Sequence, residues 1–197
     1  MIHSPSRSDG FLVGLLLSDA WIQFADLTNK NARLGFKQGM INFPYFWHVF
    51  TFLSHYCSSF PHLILSNRSN ERAFGIELYT RSLPCFTQLH SIFYDNGVKV
   101  EPPPGVLYNL LTPVALAHWI MGDGYKFRKA LILCTDSNTI HDVVRLMNVL
   151  IIRYRLVCSL RSIRPNQYRI FIYFKSMPLL RSIVIPYMDP SMLYKIQ

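Results

Sequence analysis

The sequence is poor in cysteine, and the four cysteines it has lie far apart. Cys57, Cys85, Cys134 and Cys158 form no C-x-x-C pair, so neither a disulfide framework nor a zinc knuckle is indicated. We interpret them as small core residues in a reducing compartment. The seven histidines also form no cluster with ligand spacing, and we predict no structural metal.

Long hydrophobic runs are missing as well. The longest apolar stretches, 11–17 and 146–152, are far shorter than the roughly 20 residues that a membrane span needs. The first ten residues are polar and contain neither an apolar signal core nor a long basic amphipathic presequence. We therefore expect no membrane partner, and we expect synthesis within the organelle if the protein works in one.

Acidic residues are scarce compared with basic ones. Eleven Asp and Glu stand against 20 Lys and Arg, which gives a net charge of +9, and half of the 197 residues are hydrophobic. So much apolar content excludes general disorder, and the length allows one large or two small domains. The excess of positive charge favours a polyanionic partner, with nucleic acid as the leading candidate.

An internal duplication is the most informative feature of the chain. Residues 12–20 and 116–124 are both apolar helical runs that end in a small residue, an aspartate and another small residue. The segment 74–84 is echoed by 168–178, in the same order relative to the apolar runs. We predict two repeats, residues 1–105 and 106–197, with the proline-rich segment 101–105 as the joint.

Each repeat has the pattern of a helix, two strands, a helix, two strands and a helix. Both echoed segments alternate with period two, which indicates strands with one buried face, and a Ser-x-Pro after each one suits the start of a helix. Residues 33–37 and 130–135 supply earlier strands, and 43–56 and 138–154 have helical periodicity. The predicted fold class is α+β, with two αββαββα repeats related by a pseudo-twofold axis.

The two motif helices are the predicted interface between the repeats, because they are the most apolar elements. Gly14 and Ser18 give the first helix a small face that allows close approach, and His118 and Gly122 occupy the matching places in the second. We expect each helix to end at its aspartate, Asp19 or Asp123. A carboxylate is unfavourable at a helix carboxyl end, so two that face each other would need divalent cations between them.

At these motifs the sequence resembles the LAGLIDADG family of homing endonucleases in its single-chain, two-motif form. Residues 12–20 and 111–124 match the two signatures, and 185–195 resembles the C-terminal segment of the family. The resemblance implies an endonuclease that clasps a long duplex with two four-stranded antiparallel saddles. Such an enzyme cuts both strands with bound Mg²⁺, which Mn²⁺ or Ca²⁺ can replace in binding.

The resemblance also implies roles for individual residues. Asp19 and Asp123 carry over as metal ligands, within metal-binding segments that include their neighbours Ala20 and Gly122. Ala20 replaces the usual terminal glycine, and Gly122 stands where many relatives have a second acidic residue. Lys99 and Lys195 match the segments in which the family places a basic residue near each scissile phosphate.

The outward strand positions and the neighbouring loops form the expected reading face for nucleic acid. On the strands this face comprises Arg33, Lys37, Glu77, Tyr79, Arg81, Arg169, Phe171, Tyr173 and Lys175. In loops and turns it comprises Asn67, Arg68, Arg72, Lys126, Arg128, Arg161, Arg164, Asn166 and Gln167.

Two classes of function compete at this point, with a third behind them. The first is a site-specific double-stranded DNA endonuclease encoded by a mobile intron. The second is a maturase that binds group I intron RNA through the same saddle, with weak or lost cleavage. The third is a captured structural RNA-binding protein of an organelle. Retention of Asp19 and Asp123 favours the nuclease, which we expect to be a monomer in a mitochondrion rather than a chloroplast.

Overall fold

The chain divides into two compact units. A computed structural model describes residues 7–26, 28–68 and 71–197, with the backbone alone at 7–8, 66–68 and 71–73. One unit is Asp19–Phe93, and the other joins the residues up to Ser18 to Tyr94–Gln197. The proposed repeat boundary after residue 105 stays a prediction.

The order of elements confirms the predicted unit in both halves. The first half contains α1 (Arg7–Leu16), β1 (Ala20–Phe24), β2 (Ala32–Gly39), α2 (Phe43–Leu53), β3 (His62–Arg68), β4 (Glu71–Tyr79) and α3 (Pro84–Phe93). A short hairpin follows, β5 (Tyr94–Asp95) and β6 (Val98–Lys99), and then a helix, α4 (Pro104–Leu110). The second half contains α5 (Pro113–Asp123), β7 (Gly124–Phe127), β8 (Ala130–Leu133), α6 (Ile140–Tyr154), β9 (Cys158–Arg164), β10 (Gln167–Ile172) and α7 (Met177–Val184).

The unit Asp19–Phe93 is a four-stranded antiparallel sheet covered on one face by helices. Its strand order is β1-β2-β4-β3. Leu34 and Phe36 on β2 point to the same face because strand side chains alternate, and both are fully buried. Phe36 stacks on Phe46 of α2 with ring centroids 5.7 Å apart, and α3 adds the buried Phe86. The opposite face of this sheet is left to the polar positions of the strands.

The other unit contains a second four-stranded antiparallel sheet, in the matching order β7-β8-β10-β9. Leu131 and Leu133 of β8 and Ile170 and Ile172 of β10 are all fully buried on one face. α6 begins at an N-cap, Thr139, whose side chain accepts a hydrogen bond from the Asp142 N–H. The predicted α+β class with two four-stranded antiparallel sheets is therefore confirmed.

The helices α1 and α5 pack closely within this unit, as the small residues of the motif predict. A Cβ at Gly14 would lie 2.5 Å from the Ala115 carbonyl oxygen and 2.6 Å from the His118 Cβ. His118 is buried and its ring packs edge-on against Phe11, with centroids 4.3 Å apart. Glycine is required at position 14 because the two backbones leave no space for a side chain.

We expect Gly14→Ala to lower the free energy of unfolding by about 1–3 kcal/mol, the usual effect of overpacking a tight contact. Thermal unfolding followed by circular dichroism measures the change. Gly105→Ala is the matched control, since a Cβ at Gly105 meets nothing within 4 Å. An unfolding midpoint for Gly14→Ala equal to that of the control would contradict the close packing.

Two element ends differ from the sequence expectation. α5 ends at Asp123 as predicted, but α1 ends at Leu16, three residues before Asp19. The Ser18 hydroxyl lies 3.1 Å from the Gly14 carbonyl oxygen and 3.3 Å from that of Leu15, so a side-chain donor satisfies carbonyls at the helix end.

The strand β10 is also shorter than the alternation predicts, because it ends at Ile172. Phe174 and Lys175 lie in a 3₁₀ turn, Phe174–Ser176, that leads into α7. Ser176 is the residue before α7 but does not cap it through its side chain. Its hydroxyl instead accepts a hydrogen bond of 2.8 Å from the Val157 N–H.

In the described part of the chain, no single helix is long and apolar enough to cross a membrane. The pair α4 and α5 reaches that length and composition only when counted together, and it is bent by 93°.

Candidate active site and nucleic-acid interface

A buried lysine lies against the carboxyl end of α5. Lys195, in the final 3₁₀ segment Pro190–Lys195, is 8% exposed. Its ammonium donates to the Met121 carbonyl oxygen and, at 2.9 Å, to that of Gly122. A cation is favourable here because the last carbonyls of a helix carry partial negative charge. The chain end thereby places a fixed positive charge beside the last turn before Asp123.

The bonds of Lys195 to the residues just before Asp123 place its ammonium near that aspartate, at the point where Cys134 bonds to the end of α5. The Cys134 N–H donates 2.9 Å to the Asp123 carbonyl oxygen, where β8 has just ended. Burial raises the pKa of the Cys134 thiol, and the Arg169 charge opposes that shift. The Asp123 carboxylate raises this pKa further and the Lys195 ammonium lowers it. A carboxylate and an ammonium thus act on one small region at the junction of α5 with the second sheet.

In the unit Asp19–Phe93, the side-chain amide of Gln38 binds Asp19, and a second amide, that of Asn42, binds Gln38. Gln38 Nε2 donates 2.5 Å to Asp19 Oδ2, and Asn42 Nδ2 donates 3.0 Å to Gln38 Oε1. Gln38 is only 7% exposed, because it continues the inward face of β2 after Leu34 and Phe36. These two hydrogen bonds hold the carboxylate of Asp19 just before the start of β1.

Each of these two places, taken by itself, offers oxygen donors of the kind that Mg²⁺ prefers. Asp19 and Asp123 each supply a carboxylate, whereas Ala20 and Gly122 can offer only main-chain oxygens. The Gly122 oxygen already accepts from Lys195. The described residues contain no group of three or more His, Cys, Asp or Glu able to hold a metal ion. Mg²⁺ commonly binds through one or two carboxylates and completes its shell with water and phosphate.

Lys99 occupies a different environment from Lys195. It is exposed on β6, where it pairs with Tyr94 of β5. Its charge acts on Glu101, a buried carboxylate whose Oε1 accepts 2.8 Å from Asn138 Nδ2. Burial raises the pKa of Glu101 to about 7, and the charge of Lys99 opposes that shift. Glu101 is therefore one charged group that the Lys99 ammonium influences.

The open face of the first sheet presents polar and aromatic side chains in register. Cross-strand partners are Gln23 with Arg33 and Lys37 with Glu77. The Arg33 guanidinium lies 4.3 Å from the centre of the Tyr79 ring, and its buried Nε has no hydrogen-bond partner among the described residues. This face can offer donors and an aromatic plane to a ligand.

The open face of the second sheet is more apolar. Phe171 is buried beside Ala130 and Ile132, with Tyr125 and Tyr173 packed against this cluster. The Arg161 guanidinium lies 3.6 Å from the centre of the Phe171 ring. Stacked arginine and aromatic planes are typical of contacts to nucleic-acid bases.

Among the predicted reading-face residues, two have partners that the sequence did not indicate, and two others lie beyond the end of their predicted strand. Arg81 lies beyond the end of β4 and donates 2.7 Å to the His55 carbonyl oxygen, so its placement on a strand is wrong. The strand placement of Tyr173 and Lys175 is also wrong, because both residues lie beyond the end of β10 at Ile172. Arg169 is on β10 as predicted, but its guanidinium forms a two-point ion pair with Asp136 at 2.5 and 2.7 Å.

The predicted loop placement is wrong for Asn67, Arg68, Arg72, Arg161, Arg164 and Gln167, because the long strands β3, β4, β9 and β10 include these positions. Asn67, Arg68 and Arg72 belong to β3 and β4 by their backbone, and their side chains lie outside the described residues. Lys126, Arg128, Arg164 and Asn166 are exposed, and Gln167 is partly exposed. Arg128 and Asn166 have positive φ values, 57° and 61°, at the turns β7–β8 and β9–β10. The binding roles of all these residues stay predictions.

Sequence reasoning missed several residues of these surfaces. Trp21 and Gln23 alternate with the buried Ile22 on β1, and the Trp21 indole N–H donates 3.1 Å to Gln23. Gly35 makes room for this ring, since a Cβ there would lie 2.5 Å from Trp21 Cζ2. The period-two pattern just after Asp19 could have revealed both side chains. Gln38 was detectable as a polar residue in the inward phase of β2.

Comparison with known proteins gives one consistent family. A model described as the LAGLIDADG DNA endonuclease family matches residues 10–180. Cytochrome b mRNA maturase bI2 of Debaryomyces hansenii is 32% identical over 190 residues, which cover 94% of this chain and 71% of that protein. Probable intron-encoded endonuclease 1 of Wickerhamomyces canadensis is 31% identical over 193 residues, 94% of this chain and 81% of that protein.

Solved structures agree with these relatives. The homing endonuclease I-WcaI, bound to its DNA recognition sequence, superposes with a TM-score of 0.88 at 28% identity over 98% of this chain and 87% of its own. I-DmoI, solved in complex with DNA and Mn, has a TM-score of 0.53 at 11% identity over 91% of this chain and 96% of its own. The second match shows likeness of fold alone.

Proposed function

Because the chain belongs to the LAGLIDADG DNA endonuclease family, we propose that it is a site-specific endonuclease that hydrolyses phosphodiesters on both strands of a long duplex DNA site. The observation that carries this proposal is the carboxyl end of α5, where Asp123 and the buried Lys195 share one neighbourhood. A buried helix that ends in a carboxylate is unfavourable unless a cation offsets it. A carboxylate beside a fixed positive charge is an arrangement suited to metal-assisted phosphate chemistry.

The proposed roles divide between the two aspartates and the lysines. The carboxylates of Asp19 and Asp123 would bind divalent cations, with Mg²⁺ as the natural one. The main-chain oxygens of their neighbours Ala20 and Gly122 belong to the same proposed metal-binding segments. When bound, such a cation supplies an activated water and stabilises charge on the leaving oxygen. Lys195 holds its positive charge close to the developing negative charge of the phosphate. Lys99 is proposed for the corresponding task at the other scissile phosphate.

The open faces of the two sheets are proposed to bind the duplex. Arginine and lysine at Arg33, Lys37 and Arg161 can contact guanine or phosphate, and aromatic planes at Tyr79 and Tyr173 can contact bases. Turn residues such as Arg128 and Arg164 extend the footprint along the phosphates. A chain with two repeats needs no second copy for two strands, so we propose a monomer.

Cleavage of the intron-less allele of the host gene tests the proposal. We expect double-strand breaks at one site in the presence of Mg²⁺, none with EDTA, and binding without cleavage when Ca²⁺ replaces Mg²⁺. Agarose electrophoresis of a linear substrate measures the products. The intron-containing allele is the control and should stay intact, because the intron interrupts the site. Uncut intron-less DNA under saturating protein and Mg²⁺ would contradict the endonuclease proposal.

The alternative is a maturase that binds group I intron RNA, and the relative from Debaryomyces hansenii that is named a cytochrome b mRNA maturase favours it. Group I intron RNA added to the cleavage reaction distinguishes the two functions. A tight RNA complex without cleavage assigns the maturase role, or a captured structural RNA-binding role if splicing is unaffected. The same relative supports the mitochondrion as the proposed location.

A further inference from the structure

A cavity on the open side of the second sheet has the composition of a base-binding pocket. It measures about 480 Å³ and is lined by residues of the β7–β8 turn, β9, β10 and the segment after β10. This volume lies within the range of about 300–1,000 Å³ that is usual for small-molecule sites. A group of nucleotide size therefore fits.

The walls of the cavity are aromatic. Phe171, Tyr173, Phe127 and Phe174 line it, and Phe171 meets Tyr173 edge-on with centroids 4.9 Å apart. Phe171 is buried and its ring face is occupied by Arg161. Phe127 and Phe174 are 37% and 65% exposed, so part of each ring is accessible to a ligand. Exposed rings around one cavity are the feature that single-stranded nucleic acids use for stacking.

The rim of the cavity is cationic. Arg128 and Lys129, both exposed in the β7–β8 turn, line it together with Arg161, and none of its lining residues is acidic. The Arg128 guanidinium also lies 5.7 Å from the centre of the Phe127 ring. Such a cavity is complementary to a nucleotide, because its cationic rim can pair with the phosphate and its apolar walls can pack against the face of the base.

We infer that this cavity binds one unpaired base of a folded RNA, with Phe127, Tyr173 and Phe174 against the base and Arg128 and Lys129 beside its phosphates. The inference rests on the RNA-binding alternative of the proposed function. Because Arg128 and Tyr173 are also proposed to contact the duplex, the test below changes Phe127 and Phe174 instead. A duplex offers only base edges in its grooves, and extrusion of a base costs a few kcal/mol. Loops and bulges of RNA present bases that are already unstacked, so the aromatic cavity favours RNA.

Binding to a short RNA hairpin tests the inference directly. The probe has a single-nucleotide bulge occupied by 2-aminopurine, and the reference hairpin has the same stem fully paired. We expect the full-length protein to bind the bulged hairpin about tenfold more tightly, with quenching of the 2-aminopurine fluorescence as the base stacks. Phe174→Ala and Phe127→Ala should each reduce this preference about tenfold. Phe60→Ala, another highly exposed phenylalanine but outside this cavity, is the matched control.

The outcomes separate this inference from the endonuclease proposal. Equal binding of bulged and paired hairpins, or unchanged preference in both cavity variants, overturns the inference. A DNA hairpin with the same bulge that binds as well as the RNA overturns the assignment to RNA. Cleavage of the duplex site is measured for the wild type and for the same variants. If none of these proteins cleaves, the endonuclease proposal is contradicted and the inference about RNA is unaffected. Thermal unfolding of each variant shows that any loss of binding is not a loss of fold.

Discussion

Asp123→Asn and Asp19→Asn are each expected to abolish double-strand cleavage while duplex affinity stays close to that of the wild type. An amide is neutral and binds Mg²⁺ poorly. Mutation of outer-shell partners of a metal ligand already costs about 10- to 100-fold in affinity or activity, so loss of a direct ligand should exceed about 100-fold. Single-turnover cleavage at saturating Mg²⁺ and a gel-shift titration in Ca²⁺ measure the two quantities.

The stability of these variants separates chemistry from folding. A carboxylate at the carboxyl end of α5 is electrostatically unfavourable, so Asp123→Asn should unfold at the wild-type temperature or above it. Asp95→Asn, an exposed aspartate of the β5–β6 hairpin, is the control for a generic loss of negative charge. Cleavage by both active-site variants at the wild-type rate would remove Asp19 and Asp123 from the mechanism.

The convergence of Asp19 with Asp123 stays a prediction of the sequence, whereas their immediate surroundings came from the structure. The duplication and the residue types of the motif helices predicted the order of elements and the contact at Gly14. These features are local or depend on small residues, and sequence periodicity reports both. Alternation along β2 also agrees with the burial of Leu34 and Phe36, but the predicted strand stopped before Gln38.

The rest depended on contacts between residues far apart in the chain. The bond from Lys195 to the end of α5 joins positions more than 70 residues apart, and no local pattern reports it. Arg81 continues the period-two alternation of β4, but the strand ends at Tyr79. The Arg81 guanidinium instead donates a hydrogen bond to the His55 carbonyl oxygen. The aromatic cavity likewise combines two turns and two strands. A period-two pattern predicts which side chains share one face of a sheet. It does not predict where the strand ends or which other residues pack on that face.

Lys195→Met is the second substitution with a large expected effect, because one ammonium satisfies two carbonyls and supplies charge. The methionine fills similar space but leaves the Met121 and Gly122 oxygens without this donor. Unsatisfied buried polar groups cost about 1–3 kcal/mol, so the unfolding midpoint should fall. Loss of the positive charge should lower the cleavage rate constant by about 100-fold, comparable to removal of one preorganised donor.

A split between rate and affinity distinguishes the proposed role of Lys195 from a purely structural one. Measured well below both unfolding midpoints, the variant should keep its affinity for the duplex in Ca²⁺ and lose activity in the chemical step. Lys195→Arg retains the charge but replaces a compact ammonium by a planar guanidinium, and we expect it to recover part of the rate. Lys30→Met, at an exposed lysine of the other unit, should behave as wild type. If Lys195→Met is destabilised but its folded fraction cleaves at the wild-type rate, Lys195 only stabilises the end of α5 and has no role in the chemical step.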